Sequence, residues 1–315
     1  THLILETTRR AQTDQARQTW LEKMTLQFFD GCVIMGQGKA GSALAHALTT
    51  AGVSISAIIS QRHLSDPSIV EGNFSTLEQW RQNHPQEQPV IFIAWSDGSV
   101  SKAISQIIEL KIQPKAAIHL SGACSPQVWR PLENICPTGT FHPNEVLRHR
   151  QGFSENIGVG IEASSPALQK ALIALANKLK LSAVSLDGVN RSAYHLAAVT
   201  VANLSLVLVQ HAIKLWTDQG FSAQEAQSAM GNLLRSCAQR VVSAPPEDIL
   251  TGPVARADFE TIKNHLDFLQ QNKNHEALHE TYRMLSEQLL ALTNHDPQMR
   301  QQLAELLQGE SDQSK

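Results

Sequence analysis

The feature that most constrains the fold of this chain is a glycine-rich segment at residues 36–41, between a short apolar run and an Ala- and Leu-rich stretch. The apolar run, Cys32–Met35, has the composition of a buried strand, and the stretch Ala40–Thr50 has that of a helix. We therefore predict a strand, a tight turn and a helix in that order.

Each glycine of such a turn has a separate role. The first permits the bend, the second lets a phosphate approach the backbone, and the third lets the helix pack closely on the strand. The helix N-terminus then offers free N–H groups and the positive end of its dipole to a dinucleotide pyrophosphate. The alternative is a glycine-rich turn that binds nothing. The residues predicted to bind the cofactor here are Gly36, Gln37, Gly38, Lys39, Ala40 and Gly41.

Apolar runs and helical patterns alternate through the first part of the chain. Further short apolar runs occur at 53–59, 90–95, 116–120, 157–161 and 183–186. This rhythm predicts a parallel sheet with helices on both faces. After residue 190 only helical spacing remains, so the predicted fold class is an α/β Rossmann-like parallel sheet domain followed by an all-α C-terminal domain.

The length of 315 residues agrees with about two domains, at ~150 residues per domain. We predict a polar helical extension over 1–27, a Rossmann-like dinucleotide-binding domain over 28–188, a helical substrate and dimerisation domain over 189–308, and a disordered tail over 309–315. The helices over 191–217 are apolar nearly all round, which predicts burial inside one subunit or in a homodimer formed through the C-terminal helices.

Charge and hydropathy exclude two classes of partner. Lys and Arg number 26 and Asp and Glu 29, with no dense basic stripe, so no nucleic-acid partner is expected. The longest apolar stretch, Leu196–Val209, is shorter than the ~20 residues that span a bilayer, which predicts a buried helix and no membrane contact.

Cysteine usage and the N-terminal residues bear on the compartment. The four cysteines are scattered, with no Cys-x-x-Cys pair, which is typical of a reduced cytoplasmic protein and predicts no metal site. The first 23 residues carry seven charged side chains and lack an apolar core, so they do not resemble a signal peptide. A cytoplasmic location is the resulting prediction.

The end of the second predicted strand bears on which dinucleotide is bound. An acidic residue at this place would hold a ribose 2′-hydroxyl and favour NAD. The chain instead has Ser60 and Arg62, a hydroxyl and a guanidinium that suit a 2′-phosphate. We therefore predict NADP, with NAD less favoured. The alternative for Arg62 is a solvated loop charge.

Polar residues follow the third and fourth predicted strands, where open α/β sheets bind their ligands. Trp95, Ser96 and Asp97 are predicted to contact the cofactor, although Asp97 could equally cap the next helix. Ser121 and His119 are predicted to lie near the reacting end of the cofactor, and Ser121 is a candidate catalytic residue. The segment from His142 to Asn144 could line the same crevice.

Four separated motifs carry a resemblance to a known family. They are H-L-S-G at 119–122, F-H-P at 141–143, Y-H-L-A-A at 194–198 and L-T-G-P-V-A-R at 250–256. In this order they resemble a bacterial family that pairs a Rossmann-like NADP-binding domain with a helical C-terminal domain of unknown function. The resemblance runs from about Gly31 to Leu292. It departs from the family pattern at Asn144, after the F-H-P motif, and at Ala257.

That family is similar to pyrroline-carboxylate reductase, ketopantoate reductase and the 3-hydroxyacid dehydrogenases, which implies an oxidoreductase. Those relatives carry a Lys and, four residues later, an Asn on the helix that here holds Arg191 and His195. Arginine stays protonated, so Arg191 is predicted to grip a substrate carboxylate. Histidine is the side chain best suited to acid or base catalysis near neutral pH, so His195 is the predicted acid or base. The alternative for His195 is a core histidine, and Tyr194 is expected to pack or bond in the interior.

Two further motifs are predicted to be structural. The segment from Thr251 to Pro253 is expected to form a turn that caps a helix, with a role for Arg256 and Asp258 in the site left open. A match to the zinc-protease pattern His-Glu-x-x-His at 275–279 has polar flanks and is predicted to be a solvated helix face.

These observations predict an NADP-dependent oxidoreductase that acts on a small oxo- or imino-acid. The predicted partners are a small-molecule substrate and a second copy of the chain. A protein that binds NADP as a sensor or scaffold, without turnover, is the alternative, and the missing Lys on the Arg191 helix favours it.

Overall fold

A computed structural model describes residues 26–60, 76–148 and 151–309. The chain forms two compact units that divide between Ala202 and Asn203. Most of the predicted extension and tail, and Arg62, lie outside the described residues.

In the described part of the first unit, seven strands form one sheet. Its strands are β1 (Cys32–Met35), β2 (Ile55–Ile59), β3 (Val90–Ile93), β4 (Ala116–His119), β5 (Thr138–Pro143), β6 (Gly158–Ala163) and β7 (Ser182–Ser185), in the order β2-β1-β3-β4-β5-β6-β7. Neighbouring strands pair in parallel, except that β5 and β6 pair antiparallel. The carboxyl ends of β1 to β5 therefore meet at one edge of the sheet, which is called the carboxyl edge below.

Helices cover both faces of this sheet, as the sequence predicts. They are α1 (Lys39–Thr50), α2 (Leu77–Asn83), α3 (Val100–Glu109) and α4 (Pro166–Lys178). Because side chains alternate along a strand, Ile34 of β1 joins the core that contains α1 and α4, while Val33 joins the core that contains α2 and α3. Each face thus has its own apolar core.

Strand β5, helix α2 and the direction of β6 differ from what the sequence patterns predict. Strand β5 begins with Thr138-Gly139-Thr140, which lacks an apolar alternation, and α2 is a short helix held by a capping box between Thr76 and Gln79. The expectation of a purely parallel sheet is wrong for β6, which follows β5 through an antiparallel pairing. This pairing is decided by long-range contacts that local patterns do not record.

Helices make up the rest of the described chain. They are α5 (Arg191–Val199), a π-helical segment (Thr200–Leu204), α6 (Ser205–Asp218), α7 (Ala223–Val241), α8 (Pro246–Ile249), α9 (Phe259–Gln271), α10 (Glu276–Leu289) and α11 (Pro297–Gln308). The second unit has its own small core, which includes Ile262 of α9, Leu290 after α10 and Leu303 of α11.

The apolar helix that begins at Arg191 is exposed, so the prediction that one chain buries it is wrong. Leu196 is 61% exposed, Val201 75% and Leu206 57%. Helix α7 packs along α6 and covers only part of its circumference. Of the described helices, Arg191–Asp218 is the one long and apolar enough to cross a membrane by length and composition, with 28 residues and a mean hydropathy of 1.8. The helix is thus longer than the apolar stretch at 196–209, from which the sequence analysis expected a segment too short to span a bilayer.

Candidate active site

The glycine-rich segment forms the predicted turn between β1 and α1. Gly36 has φ +127°, and a Cβ atom there would lie 2.6 Å from the Ala94 carbonyl oxygen. A Cβ atom on Gly41 would lie 1.9 Å from the Gly36 carbonyl oxygen. The protein's own backbone therefore requires glycine at both positions.

Gly38 differs, because no described residue beyond its neighbours in the chain comes within 4 Å of the place where its Cβ atom would be. Its backbone φ of −68° is open to any residue, so neither packing nor conformation demands glycine there. The open side of Gly38 borders the N-terminus of α1, where no side chain caps the helix and the first turn has no acidic residue. These features fit a pyrophosphate against the backbone.

Gln37 adds a second sign of a ligand at this turn. Its Oε1 atom is buried and has no hydrogen-bond partner among the described residues. A buried acceptor without a donor costs free energy unless another group pairs with it. Hydroxyl groups of a bound dinucleotide would supply such donors.

The remaining cofactor candidates that belong to the described residues lie at the carboxyl edge. Ser60 directly follows β2, and Trp95 packs over the turn, with its Cδ1 atom 3.0 Å from the place of a Gly36 Cβ atom. Ser96 and Asp97 are exposed after β3. Asp97 does not cap the following helix, since Ser96 and Ser99 occupy the cap positions there.

The two candidates after β4 differ in access. Ser121 is buried, and its Oγ atom accepts hydrogen bonds from the backbone N–H groups of Ala123 and Cys124 at 3.2 and 3.0 Å. It therefore shapes the loop, and its catalytic role stays a prediction. His119 has no exposed surface and stacks on Trp129, with ring centroids 5.2 Å apart. His119 thus lies beneath the site, because the Trp129 ring covers it.

Arg191 already has a carboxylate partner inside the protein. Its side chain is 4% exposed and forms a salt bridge with Glu162 of β6, and its Nη2 atom donates to the Thr140 hydroxyl at 3.3 Å. The Nε and Nη1 atoms have no partner among the described residues. A substrate carboxylate would have to use those two donors or displace Glu162.

A hydrogen-bonded group that sequence reasoning did not assign lies beside these candidates. The His142 Nδ1 atom is 2.9 Å from the Tyr194 hydroxyl, and Asn144 Nδ2 donates to the same hydroxyl oxygen at 2.8 Å. The His195 ring is 6.4 Å from the His142 ring, between centroids. The motifs at 141–144 and 194–198, each noted in the sequence, thus meet at the carboxyl edge.

Burial sets the protonation of this group. Removal from water, helped by the nearby His195, lowers the pKa of His142 from 6.5 to about 4. Burial also lowers the pKa of His119 to about 4 and raises that of the Tyr194 hydroxyl. At neutral pH the group therefore presents a neutral imidazole and a protonated phenol.

The two structural motifs of the second unit need corrections. His275 precedes α10, is buried, and pairs through Nε2 with the Asp218 carboxylate at 3.0 Å, so the expected solvated face is wrong at this residue. Helix α9 is capped by Asp258, which accepts from the Thr261 N–H group, and not by Thr251 or Gly252. The turn after Gly252 continues to Ala257 and delays the helix.

Comparison with known proteins places these features in a wider group. Residues 157–289 match the profile of the family described as Domain of unknown function (DUF2520). No curated protein sequence shows significant similarity to the chain. The resemblance seen in the sequence, of a Rossmann-like domain joined to a helical domain of unknown function, is confirmed.

Three solved structures show the same fold at low sequence identity. A candidate NADP oxidoreductase from Bacteroides fragilis has 24% identity and a TM-score of 0.66, and the match covers 84% of this chain and 99% of that chain. A reductive aminase from Aspergillus terreus, solved with NADPH, has 14% identity and a TM-score of 0.58, with 89% and 99% covered. Pyrroline carboxylate reductase from Plasmodium falciparum, solved with NADP, has 12% identity and a TM-score of 0.51, with 84% and 98% covered. The Rossmann-like sheet with a helical C-terminal region is thereby established as the fold.

Proposed function

We propose that this protein is an NADP-dependent oxidoreductase that acts on a small oxo- or imino-acid. The observation that carries the proposal is the open side of Gly38 at the uncapped start of α1, between two glycines that the backbone itself requires. The fold likeness to proteins solved with NADP or NADPH supports the choice of cofactor. Ser60 at the end of β2, with Arg62 just after it, suits a 2′-phosphate.

The cofactor would lie along the carboxyl edge, from the turn at Gly38 toward Asp97 and the loop after β4. When bound, NADPH supplies a hydride to the substrate. The protein's share is to orient the reactants, exclude water and provide a proton. A histidine of the site is the proton donor, and the structure offers His142 beside the sequence-predicted His195. Arg191 is the residue for a substrate carboxylate, through its unpartnered nitrogens.

A glycine substitution tests the binding site directly. In Gly38→Val the side chain would fill the open space without a clash against described residues, so the protein should fold and bind NADPH at least ten-fold more weakly by titration calorimetry. Gly231→Ala, at another position with open space on α7, is the matched control and should bind as wild type does. Equal NADPH affinity in wild type and Gly38→Val would contradict the proposed site.

The preference for NADP is tested at Arg62. Arg62→Ala should weaken NADPH binding by about 1–3 kcal/mol, the worth of a charged hydrogen bond, and should change NADH binding less. An equal loss for both dinucleotides in the same titrations would contradict the role of Arg62. Binding of NADPH without turnover of any oxo- or imino-acid would favour a sensor or scaffold instead.

We also propose that the protein is a cytoplasmic homodimer in which a second copy covers the exposed apolar side of α6 and α7. Leu206, Leu208, Leu233 and Leu234 expose about half of their surface there. Apolar faces of this width are typical of permanent interfaces. Light scattering should give the dimer mass for wild type and the monomer mass for Leu206→Asp. A monomeric wild type contradicts the dimer, and its partition into phosphatidylcholine vesicles would favour a membrane as the cover.

A further inference from the structure

The two ring nitrogens of His142 have different surroundings, and this difference decides which of them carries the proton. We propose that His142 is the proton donor of the site, that Tyr194 and Asn144 are its positioning residues, and that the donor selects a carbonyl oxygen over a protonated imine. The assignment of substrate class rests on the function proposed above, whereas the assignment of the proton on His142 does not.

The Tyr194 hydroxyl fixes one end of the ring. Asn144 Nδ2 can only donate, so the Tyr194 oxygen accepts that hydrogen bond at 2.8 Å. The phenol O–H then points to His142 Nδ1, 2.9 Å away, which accepts it. A neutral imidazole that accepts at Nδ1 carries its proton on Nε2.

The Cε1 atom of the ring, between the two nitrogens, packs against the loop after β4. A Cβ atom on Gly122 would lie 2.7 Å from Cε1, 2.8 Å from Nε2 and 3.0 Å from Nδ1, so only glycine at this position leaves room for the ring. Nδ1 is the one ring nitrogen of His142 with a hydrogen-bond partner in the described part of the chain. The Nε2–H group is thus an oriented donor without an acceptor among the described residues, at the edge of the sheet where Asp97 is close enough to raise the pKa of His142.

His195 lacks such an orientation. Its Nδ1 atom is buried without a partner among the described residues. A general acid needs a fixed tautomer and a fixed ring position, which a hydrogen bond to its second nitrogen provides. Among the two histidines, His142 alone has that bond, so the donor role belongs to His142 and His195 lowers the pKa of its neighbour.

The proton balance of the reduction follows from the hydrogen bonds that link Asn144, Tyr194 and His142. Hydride adds to the carbonyl carbon, the C=O π bond breaks, and its electron pair goes to oxygen, which takes the Nε2 proton of His142. Nδ1 takes the Tyr194 proton as Nε2 loses its own, so the imidazole stays neutral. Nε2 of the half-buried His142 then takes a proton from solvent, and Nδ1 returns its proton to the tyrosinate, which restores the starting tautomer. The alkoxide is a stronger base than tyrosinate, so both transfers run toward the product.

The same donor disfavours a protonated imine. An iminium nitrogen carries its own N–H and a positive charge, so it cannot accept a hydrogen bond from Nε2–H. The positive charge of Arg191, which is near enough to lower the pKa of His142, would also repel it. A carbonyl oxygen accepts from Nε2–H and gains from the nearby positive charge as negative charge develops on it. A small oxo-acid is therefore the preferred substrate class.

Nitrogen NMR of the protein without cofactor tests the positioning. With 15N-labelled histidine at pH 7, the His142 signal, assigned as the one lost in His142→Gln, should show the Nε2–H tautomer. Tyr194→Phe should give a mixture of tautomers for His142. Tyr282→Phe, which removes the hydroxyl that contacts His265 in the second unit, is the matched control and should leave the His142 signal unchanged. An Nδ1–H tautomer in wild type, or no change in Tyr194→Phe, would overturn the proposal.

Turnover tests the chemistry. With NADPH as the reductant, 2-oxo acids should be reduced faster than the imines that the same acids form when ammonia is added. His142→Gln should lower kcat roughly 100-fold or more with unchanged NADPH affinity, while His195→Gln should lower it less. Faster reaction of the imines, or a larger loss in His195→Gln, overturns the donor assignment alone. Failure of wild type to bind NADPH instead contradicts the proposed function, and the NMR result still decides the position of the proton.

Discussion

The two tyrosines of the chain each contact the Nδ1 atom of a histidine, but the two pairs lie in opposite surroundings. Tyr194 contacts the half-buried His142 at the carboxyl edge of the sheet. Tyr282 of α10 contacts the exposed His265 of α9 at 3.0 Å. The rings cross at similar steep angles, 75° and 83°. The local geometry is therefore the same, and the differences between the pairs come from burial and from the third partner, Asn144.

The ion pairs of the two units repeat this contrast. Arg191 is 4% exposed beside Glu162, whereas Arg256 is 63% exposed and 3.9 Å from Asp258. An exposed pair competes with water at each partner and is worth little. A buried pair is worth little as a pair but is costly to break, because the remaining charge is left without solvent. Because they are buried, the pairs of the first unit have a larger effect on the protonation and position of their side chains than the exposed pairs of the second unit.

Breaking the buried ion pair should have the largest effect. Arg191→Met leaves the Glu162 carboxylate without its cation, and we expect a loss of about 3–5 kcal/mol in the free energy of unfolding of the first unit. Arg256→Met is the control, with an expected change within about 0.5 kcal/mol. Urea unfolding of both variants measures the difference. Similar losses in the two variants would show that burial does not separate the pairs.

Acid should destabilise the first unit through its buried histidines. The pKa values of His119 and His142 are about 4 in the folded chain and return to about 6.5 on unfolding, so the unfolded chain binds more protons between those values. Stability is therefore full above pH 6.5 and falls as the pH drops toward 4, by about 3 kcal/mol per histidine. Unfolding midpoints of wild type and His142→Gln across this range check the slope. A His142→Gln variant with the wild-type slope would contradict the assignment.

Removal of the phenol hydroxyls should have the smallest effect and still separate the pairs. Tyr194→Phe leaves Asn144 Nδ2 and His142 Nδ1 without their partner, and we expect a loss of about 1–2 kcal/mol. In Tyr282→Phe, water can replace the hydroxyl at the exposed His265, so the expected loss is below about 0.5 kcal/mol. Thermal unfolding of the two variants gives the ranking. The reverse order would mean that the Tyr282 pair is the more rigid one.

Much of the first unit follows from local patterns. The apolar runs at 32–35, 90–95 and 116–120 predict β1, β3 and β4 within two residues of their observed ends. The spacing of Gly36, Gly38 and Gly41 between one strand and one helix predicts the turn, whereas the close approach of Ala94 to Gly36 comes from the chain that follows β3. Strand β5 and helix α2 were missed, since β5 begins with polar residues and α2 spans only Leu77–Asn83.

The candidate site follows from the sequence only in part. The ends of β3 and β4, and Arg191 and His195, could be assigned because strand ends and helical spacing are local features. The pairing of His142 with Tyr194 could not, because the two residues are 52 positions apart and each motif has an ordinary structural explanation on its own. Nor could the sequence show that Glu162 forms an ion pair with Arg191, because the two residues are 29 positions apart.

The amino-acid sequence by itself determined the order of most strands and helices and the glycine turn between β1 and α1, because these depend on residues close together in the chain. Only the tertiary structure decided the antiparallel pairing of β6, the exposure of the Arg191–Asp218 helix, and the surroundings of each histidine. Those properties depend on which distant residues exclude water from a side chain. The pKa of His142 and the position of its proton are therefore consequences of folding, although His142 itself stands in a motif visible from the start.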